Sequence, residues 1–227
     1  MKSTRHRSPV AAIVWLPVMA AFFYGMAGNA EEVSAEDKSA IQIETRGNFV
    51  NQSYQNVWWA LSKMPRRYKD YLWSMGYHVV LYTSVDDYQK SHNAKPLHNQ
   101  EHPEWTYKNL MGETLHDKQK IVIGETYLNK PVNNKVLFHE SGHAFDFSKK
   151  ISSSNAFIAA FREDGGHPQG QGFAWKSRTE VCAQLVAVEL IKRANIDVSD
   201  NQRLTPKFSE AWPHCAEIVR QELQPYL

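Results

Sequence analysis

Two histidines and a glutamate, His139, Glu140 and His143, fall within five residues and have side chains suited to metal chemistry. Histidines four residues apart lie on the same face of a helix, so both imidazoles can bind one cation, and nitrogen ligands suit zinc. Glu140 follows the first histidine and can reach a metal-bound water without occupying a coordination position. Zinc lowers the pKa of such a water from about 15.7 to about 7, so the triplet predicts hydrolysis with Glu140 as general base.

The residues within and around this triplet are uncharged, which predicts a helix buried on most sides. Three ionisable groups within five buried residues are costly unless each has a partner. We therefore prefer a metal site to the alternative, a core helix with incidental histidines. The uncharged positions are Val136, Leu137, Ser141, Gly142, Ala144 and Phe145.

A catalytic zinc ion needs a third protein ligand and one open position. One class of zinc peptidases continues the motif with a glycine three residues and a histidine six residues after the second histidine. Asp146 and Lys149 occupy those positions here, which excludes that class. The other common class takes a glutamate from a later helix.

Glu180 is the leading candidate for that ligand. It begins a helical pattern in which the small residues Ala183 and Ala187 would let the second helix approach the first closely. His167 stays open as another ligand, and a glutamate in a first turn also has an ordinary explanation in the helix dipole.

The pattern of apolar residues predicts an α+β domain, dominated by helices, with a small sheet placed before the motif helix. Segment 84–119 is polar and is interpreted as mainly loop, and the glycine-rich segment 164–172 is expected to hold no regular element. The predicted strands are 77–82 and 120–124, and the predicted helices are 54–75 with an interruption at Pro65, 135–148, 155–162, 179–194 and 205–224.

The first thirty residues have the pattern of a signal peptide. Basic residues at positions 2 to 7 precede an apolar run at 10–27, and small residues at Gly28 and Ala30 fit a cleavage site. An uncleaved membrane anchor is the alternative, and either way the remainder would be exported. We expect a polar linker at 31–48 and one metallopeptidase domain at 49–227, with its catalytic part at about 105–227.

The balance of charged residues limits the kinds of partner that we expect this protein to bind. Residues 1–30 hold three of the 26 Lys and Arg residues and no acid, so 23 basic residues face 24 acidic ones in the remainder. This balance gives no reason to expect a nucleic acid or an anionic membrane as partner.

The chain has two cysteines, Cys182 and Cys215. In an exported protein this pair could form a disulfide, or the two residues could be buried free thiols.

The motif residues resemble the catalytic domain of the anthrax lethal factor family, which includes the small secreted Pro-Pro endopeptidases. The likeness rests on His139 to Asp146 and on Thr179 to Gln184, compared with His-Glu-x-x-His-Ala-x-Asp and a later Glu-Phe-Phe-Ala-Glu. It implies that one zinc ion is held by His139, His143 and Glu180, with Glu140 as base.

The same resemblance implies roles for neighbouring residues. Asp146 would lie near the site and, on physical grounds, could orient His143 or cap a neighbouring backbone group. Strand 120–124 would be the edge strand that binds an extended substrate, and Trp105 would face that substrate or anchor a loop.

Two positions depart from the family. Phe173 stands where the family has a tyrosine that donates to the developing oxyanion, a loss worth about 10²–10³ in rate. Gln184 replaces a glutamate and could still form a hydrogen bond with a ligand histidine, but without a charge. A non-catalytic zinc-binding peptide-recognition module is therefore the alternative to a secreted endopeptidase. For the enzyme we expect a monomer, a peptide or protein substrate with a proline preference by analogy, and no stable membrane association after processing.

Overall fold

A four-stranded mixed sheet and eight α-helices make up the part of the chain that the structure describes. This computed structural model describes residues 44–46, 51–93, 106–124, 135–165, 177–198 and 206–227, all within the unit Val33–Leu227. The strands are β1 (Glu44–Arg46), β2 (His78–Tyr82), β3 (Gly112–Leu115) and β4 (Lys120–Gly124). The helices are α1 (Asn51–Lys63), α2 (Arg66–Ser74), α3 (Val85–Ser91), α4 (Val136–Lys149), α5 (Asn155–Glu163), α6 (Arg178–Arg193), α7 (Pro206–Ala211) and α8 (Pro213–Leu223).

The sheet has the strand order β1-β2-β4-β3. β1 and β2 run parallel, as do β2 and β4, whereas β3 and β4 form an antiparallel hairpin. Consecutive residues Val79 to Leu81 and Ile121 to Ile123 are buried, as expected of strands covered on both faces. The predicted α+β class, rich in helices with a small sheet, is confirmed.

The prediction that strand 120–124 forms the edge of the sheet is wrong. β4 lies inside the sheet because it pairs with β2 on one side and with β3 on the other. The edge on that side is β3, which falls in the segment we interpreted as loop. β1 lies within the predicted linker 31–48, and its pairing with β2 makes residues 44–46 part of the sheet.

Segment 84–119 holds more regular structure than we predicted. Ser84 caps α3 by accepting a hydrogen bond from the Asp87 amide at 3.1 Å. A 3-10 turn at Tyr107–Asn109 and strand β3 follow, with residues 94–105 outside the described ranges. These elements are three to seven residues long, which is too short for a periodic pattern to be recognised in the sequence.

Prolines divide two of the predicted helices. Pro65 separates α1 from α2, at the interruption we expected, and Pro213 begins α8 and separates it from α7. Trp212 before this proline has an extended φ of −133°, because proline disfavours helical backbone in the residue that precedes it. The other helices lie within one residue of their predicted ends. The described residues contain no helix long and apolar enough to cross a membrane.

The motif helix α4 packs in the main hydrophobic core. Phe138, Ala144 and Phe145 are fully buried there. The Tyr68 hydroxyl from α2 donates to the Ser141 carbonyl oxygen at 2.9 Å, so a buried hydrogen bond also ties this helix to its neighbour. The helix is thus held rigidly, as a metal site requires.

Candidate metal centre

Asp146 accepts the hydrogen bonds that cap the C-terminal end of helix α4. Lys150 adopts left-handed backbone with φ of 58°, and its amide donates to the Asp146 carbonyl. The Ser152 amide donates to Asp146 Oδ1 at 2.7 Å. Of the two roles predicted for Asp146 on physical grounds, the structure shows the hydrogen bond to a neighbouring backbone group.

Helices α4 and α6 touch through small residues. A Cβ atom built on Gly142 would lie 2.5 Å from the Ala183 carbonyl oxygen and 2.9 Å from its Cα. A side chain on residue 142 would not fit at this point, so the backbones of the two helices are in direct contact here. The predicted close approach at Ala183 is confirmed, and it carries Glu180 to the histidines of α4.

Three side chains, those of His139, His143 and Glu180, converge where these helices meet. His139 Nε2 and His143 Nε2 are 3.1 Å apart. Glu180 Oε2 lies 3.2 Å from His139 Nε2, and Glu180 Oε1 lies 3.3 Å from His143 Nε2. All three side chains are partly buried.

This donor set fits a zinc ion. Tetrahedral zinc binds nitrogen and oxygen at about 2.0–2.1 Å, which places neighbouring ligand atoms about 3.3 Å apart. The distance between the two imidazole nitrogens and the distance from each of them to its nearer Glu180 oxygen, 3.1–3.3 Å, are close to that spacing. Two imidazoles and one carboxylate also form a donor set typical of catalytic zinc. Among the described residues, His139, His143 and Glu180 are the group able to hold a metal ion.

The charges of these groups are coupled in the metal-free site. Burial lowers the pKa of His143, but the adjacent Glu180 carboxylate outweighs this effect and raises the pKa to about 9. Burial raises the pKa of Glu180, yet hydrogen bonds from His139 and His143 bring it well below its usual range. A metal ion must therefore displace a proton from His143, because only neutral imidazole is a ligand.

Glu140 lies on the same helix as the two histidines, and its side chain contacts strand β3. Its side chain is 7% exposed. Thr114 Oγ1 is 2.9 Å from Glu140 Oε2 and 2.8 Å from the Glu140 carbonyl oxygen. A Cβ atom on Gly112 would lie 2.7 Å from Glu140 Cγ, so the glutamate packs directly on the β3 backbone. The sheet edge that borders the site is thus β3.

Some of the other residues singled out in the sequence lie in the described part of the structure, and some do not. Gln184 is buried on α6, one turn after Glu180. Cys182 and Cys215 are free buried thiols, which was one of the two alternatives for the pair. Trp105, His167 and Phe173 lie outside the described residues, so their predicted roles stay predictions.

Sequence reasoning missed Gly112 and Thr114. The sequence did hold one signal for strand β3. The polar run Asp117-Lys118-Gln119 lies between the apolar residues Leu115 and Ile121, and a short polar run between two apolar segments is typical of a hairpin turn. Identifying that hairpin would have placed an edge strand beside β4. It would not have shown which face of β3 meets Glu140.

The described residues thus form a helix-rich α+β domain in which one group of side chains, His139, His143 and Glu180, could hold a metal ion. A solved structure with this fold is that of the Pro-Pro endopeptidase PPEP-2 from Paenibacillus alvei. The TM-score is 0.59 at 16% sequence identity, and the match covers 79% of this chain and 96% of the other. No family model matches the chain, and no curated protein matches it in sequence. The likeness therefore establishes a shared fold.

Proposed function

We propose that this protein is an exported zinc-dependent endopeptidase that hydrolyses a peptide bond in an extended protein segment. The observation that carries the proposal is the convergence of His139, His143 and Glu180 beside the buried acid Glu140. A metal site that only stabilised the fold would usually have four protein ligands. Three ligands and a neighbouring acid are the arrangement that hydrolysis needs.

Each residue has a distinct task in this proposal. A zinc ion, when bound, polarises the scissile carbonyl and acidifies the attacking water. Glu140 accepts a proton from that water as the new carbon–oxygen bond forms. Glu140 then passes the proton to the departing amine as the carbon–nitrogen bond breaks. His139, His143 and Glu180 would hold the metal.

Strand β3 is the surface we propose for the substrate. It is an edge strand of the sheet, and it lies against Glu140 through Gly112 and Thr114. An extended peptide can pair with such an edge and bring one peptide bond to the metal. The Paenibacillus alvei protein is described as a Pro-Pro endopeptidase, so proline-rich peptides are the substrates to test first.

The test combines metal analysis with peptide hydrolysis by the purified full chain. We expect one zinc ion per chain and cleavage of members of an extended-peptide library. Glu140→Gln should retain zinc and lose about 10²–10⁴ in kcat, the usual contribution of a general base. Glu217→Gln is the matched control, because it makes the same acid-to-amide change on the exposed face of α8.

The second candidate is a zinc-binding module that recognises a peptide without cutting it. Phe173 favours it, since the family has an oxyanion-stabilising tyrosine at that position. Zinc binding with peptide affinity but no hydrolysis across the library would support this candidate. A protein that binds no zinc at all would contradict both.

A further inference from the structure

Strand β3 presents two features to Glu140 that are separate from metal binding. Thr114 places its hydroxyl within hydrogen-bond distance of two oxygens of this one residue, the carbonyl and Oε2. Gly112 is two residues earlier and therefore on the same face of the strand. Its missing side chain leaves the space that the Glu140 side chain fills.

The fit at Gly112 is tight. A Cβ atom there would meet Glu140 Cγ at 2.7 Å, Glu140 Cδ at 3.1 Å and Val136 Cγ1 at 2.9 Å. Such distances are too short for packed carbon atoms, so any other residue would push the glutamate side chain away. Gly112 thus sets where the methylene groups of Glu140 lie.

Thr114 sets where the carboxylate lies. A hydroxyl has one proton to donate, and here the carbonyl and Oε2 of Glu140 share it. Oε2 is held in this way, so one oxygen of the carboxylate has a fixed partner on β3. Threonine is stiff at χ1, and pairing of Thr114 with Ile121 on β4 fixes the strand beneath it.

From these contacts we propose that Thr114 and Gly112 are positioning residues for Glu140, which select the side-chain conformation in which its carboxylate can exchange a proton. This inference rests on the proposed function, because Glu140 needs such positioning only if it acts as a base. A misplacement of about 1 Å in a catalytic group can cost about 10²-fold in rate.

The kinetic test uses Thr114→Val, which keeps the branched shape and removes the hydroxyl. We expect kcat to fall about tenfold or more, with KM within about twofold and zinc content unchanged. Thr114→Ser restores the hydroxyl and should return kcat to within about threefold of the wild-type value. Gly112→Ala should lower kcat at unchanged zinc content. A wild-type kcat in Thr114→Val overturns the inference.

A second measurement separates this inference from the proposed function. In urea unfolding of the metal-free protein, Thr114→Val should lower the midpoint more in the wild-type background than in a Glu140→Ala background, where the hydrogen bond to the backbone carbonyl of residue 140 remains and the one to the carboxylate is already absent. Equal shifts in both backgrounds would mean that Thr114 only supports the strand, and would overturn the inference. If the wild type cleaves nothing, the proposed function fails, and this comparison still decides whether Thr114 holds the Glu140 side chain.

Discussion

Gly142 on α4 and Ala183 on α6 are in backbone contact, so closely that a methyl group on Gly142 would lie 2.5 Å from the Ala183 carbonyl oxygen. This contact allows ligands from two helices to meet at one metal ion. Gly142 is next to His143 in the chain, and Ala183 follows Glu180 by three residues. A change in the distance between the helices should therefore change metal binding.

Gly142→Ala tests this relationship. Alanine favours helices over glycine by about 1 kcal/mol, so an unconstrained helix would be stabilised. We expect instead a loss of about 1–3 kcal/mol in the free energy of unfolding, because the added methyl group overpacks the crossing. Zinc content should fall too. Urea unfolding and metal analysis measure the two effects.

Ala183→Gly in the same protein gives a sharper check on Gly142→Ala. The atoms that the new methyl group would meet belong to the Ala183 backbone. Removal of the Ala183 side chain should therefore restore neither stability nor zinc. Full recovery in the double variant would contradict a backbone contact.

Glu180→Ala should abolish metal binding, because two histidines alone complete only half of a tetrahedral shell. After dialysis we expect less than about a tenth of an equivalent of zinc per chain by elemental analysis. Glu189→Gln removes a negative charge from the same helix, where Glu189 pairs with Arg220 at 3.0 Å, and should keep the metal. Equimolar zinc in Glu180→Ala would show that the third ligand lies elsewhere.

Asp164 holds the start of α8 from the end of α5. Its buried carboxylate accepts from the Cys215 amide at 2.9 Å and the His214 amide at 3.1 Å, where α8 has no side-chain cap of its own. We expect Asp164→Ala to cost about 1–2 kcal/mol in the free energy of unfolding. Glu163→Gln changes an exposed neighbour and should cost under about 0.5 kcal/mol. Similar losses in both variants would contradict a capping role.

Glu113 gives a prediction about pH. Burial raises its pKa, a hydrogen bond from Gln89 lowers it, and the Glu140 carboxylate raises it, for a net rise. A raised pKa means that the folded chain keeps this proton to higher pH than the unfolded chain. The resulting stability is full at acid pH, below the unfolded pKa, and is lost as pH rises through the folded pKa.

Glu113→Gln removes this dependence on pH. We expect a higher Tm than wild type at pH 7 and little difference at pH 4, as measured by thermal unfolding. Asp117→Asn changes an exposed acid in the same hairpin and should show no such divergence between the two pH values. A variant that is less stable than wild type at pH 7 would contradict the sign of the pKa shift.

The residues of the metal site were predictable because their spacing is a local property. His139 and His143 share a helix face by geometry alone, and the helix from Val136 to Lys149 follows from an uninterrupted apolar pattern. Glu180 could be selected from several acids because small residues follow it at helical spacing. Strand β4 was predicted at its observed bounds because a run of β-branched residues is rare in other structure.

Only the tertiary structure decided which elements meet. Whether Glu180 reaches the histidines depends on how α6 crosses α4, which the absence of a side chain at Gly142 permits. Which strand borders the site depended on pairing in space, and a four-residue strand such as β3 carries too little pattern to be found from its sequence. Thr114 and Gly112 are ordinary residues in an ordinary hairpin. Their relation to Glu140 arises because the β3 backbone packs against α4, and no local rule encodes that contact.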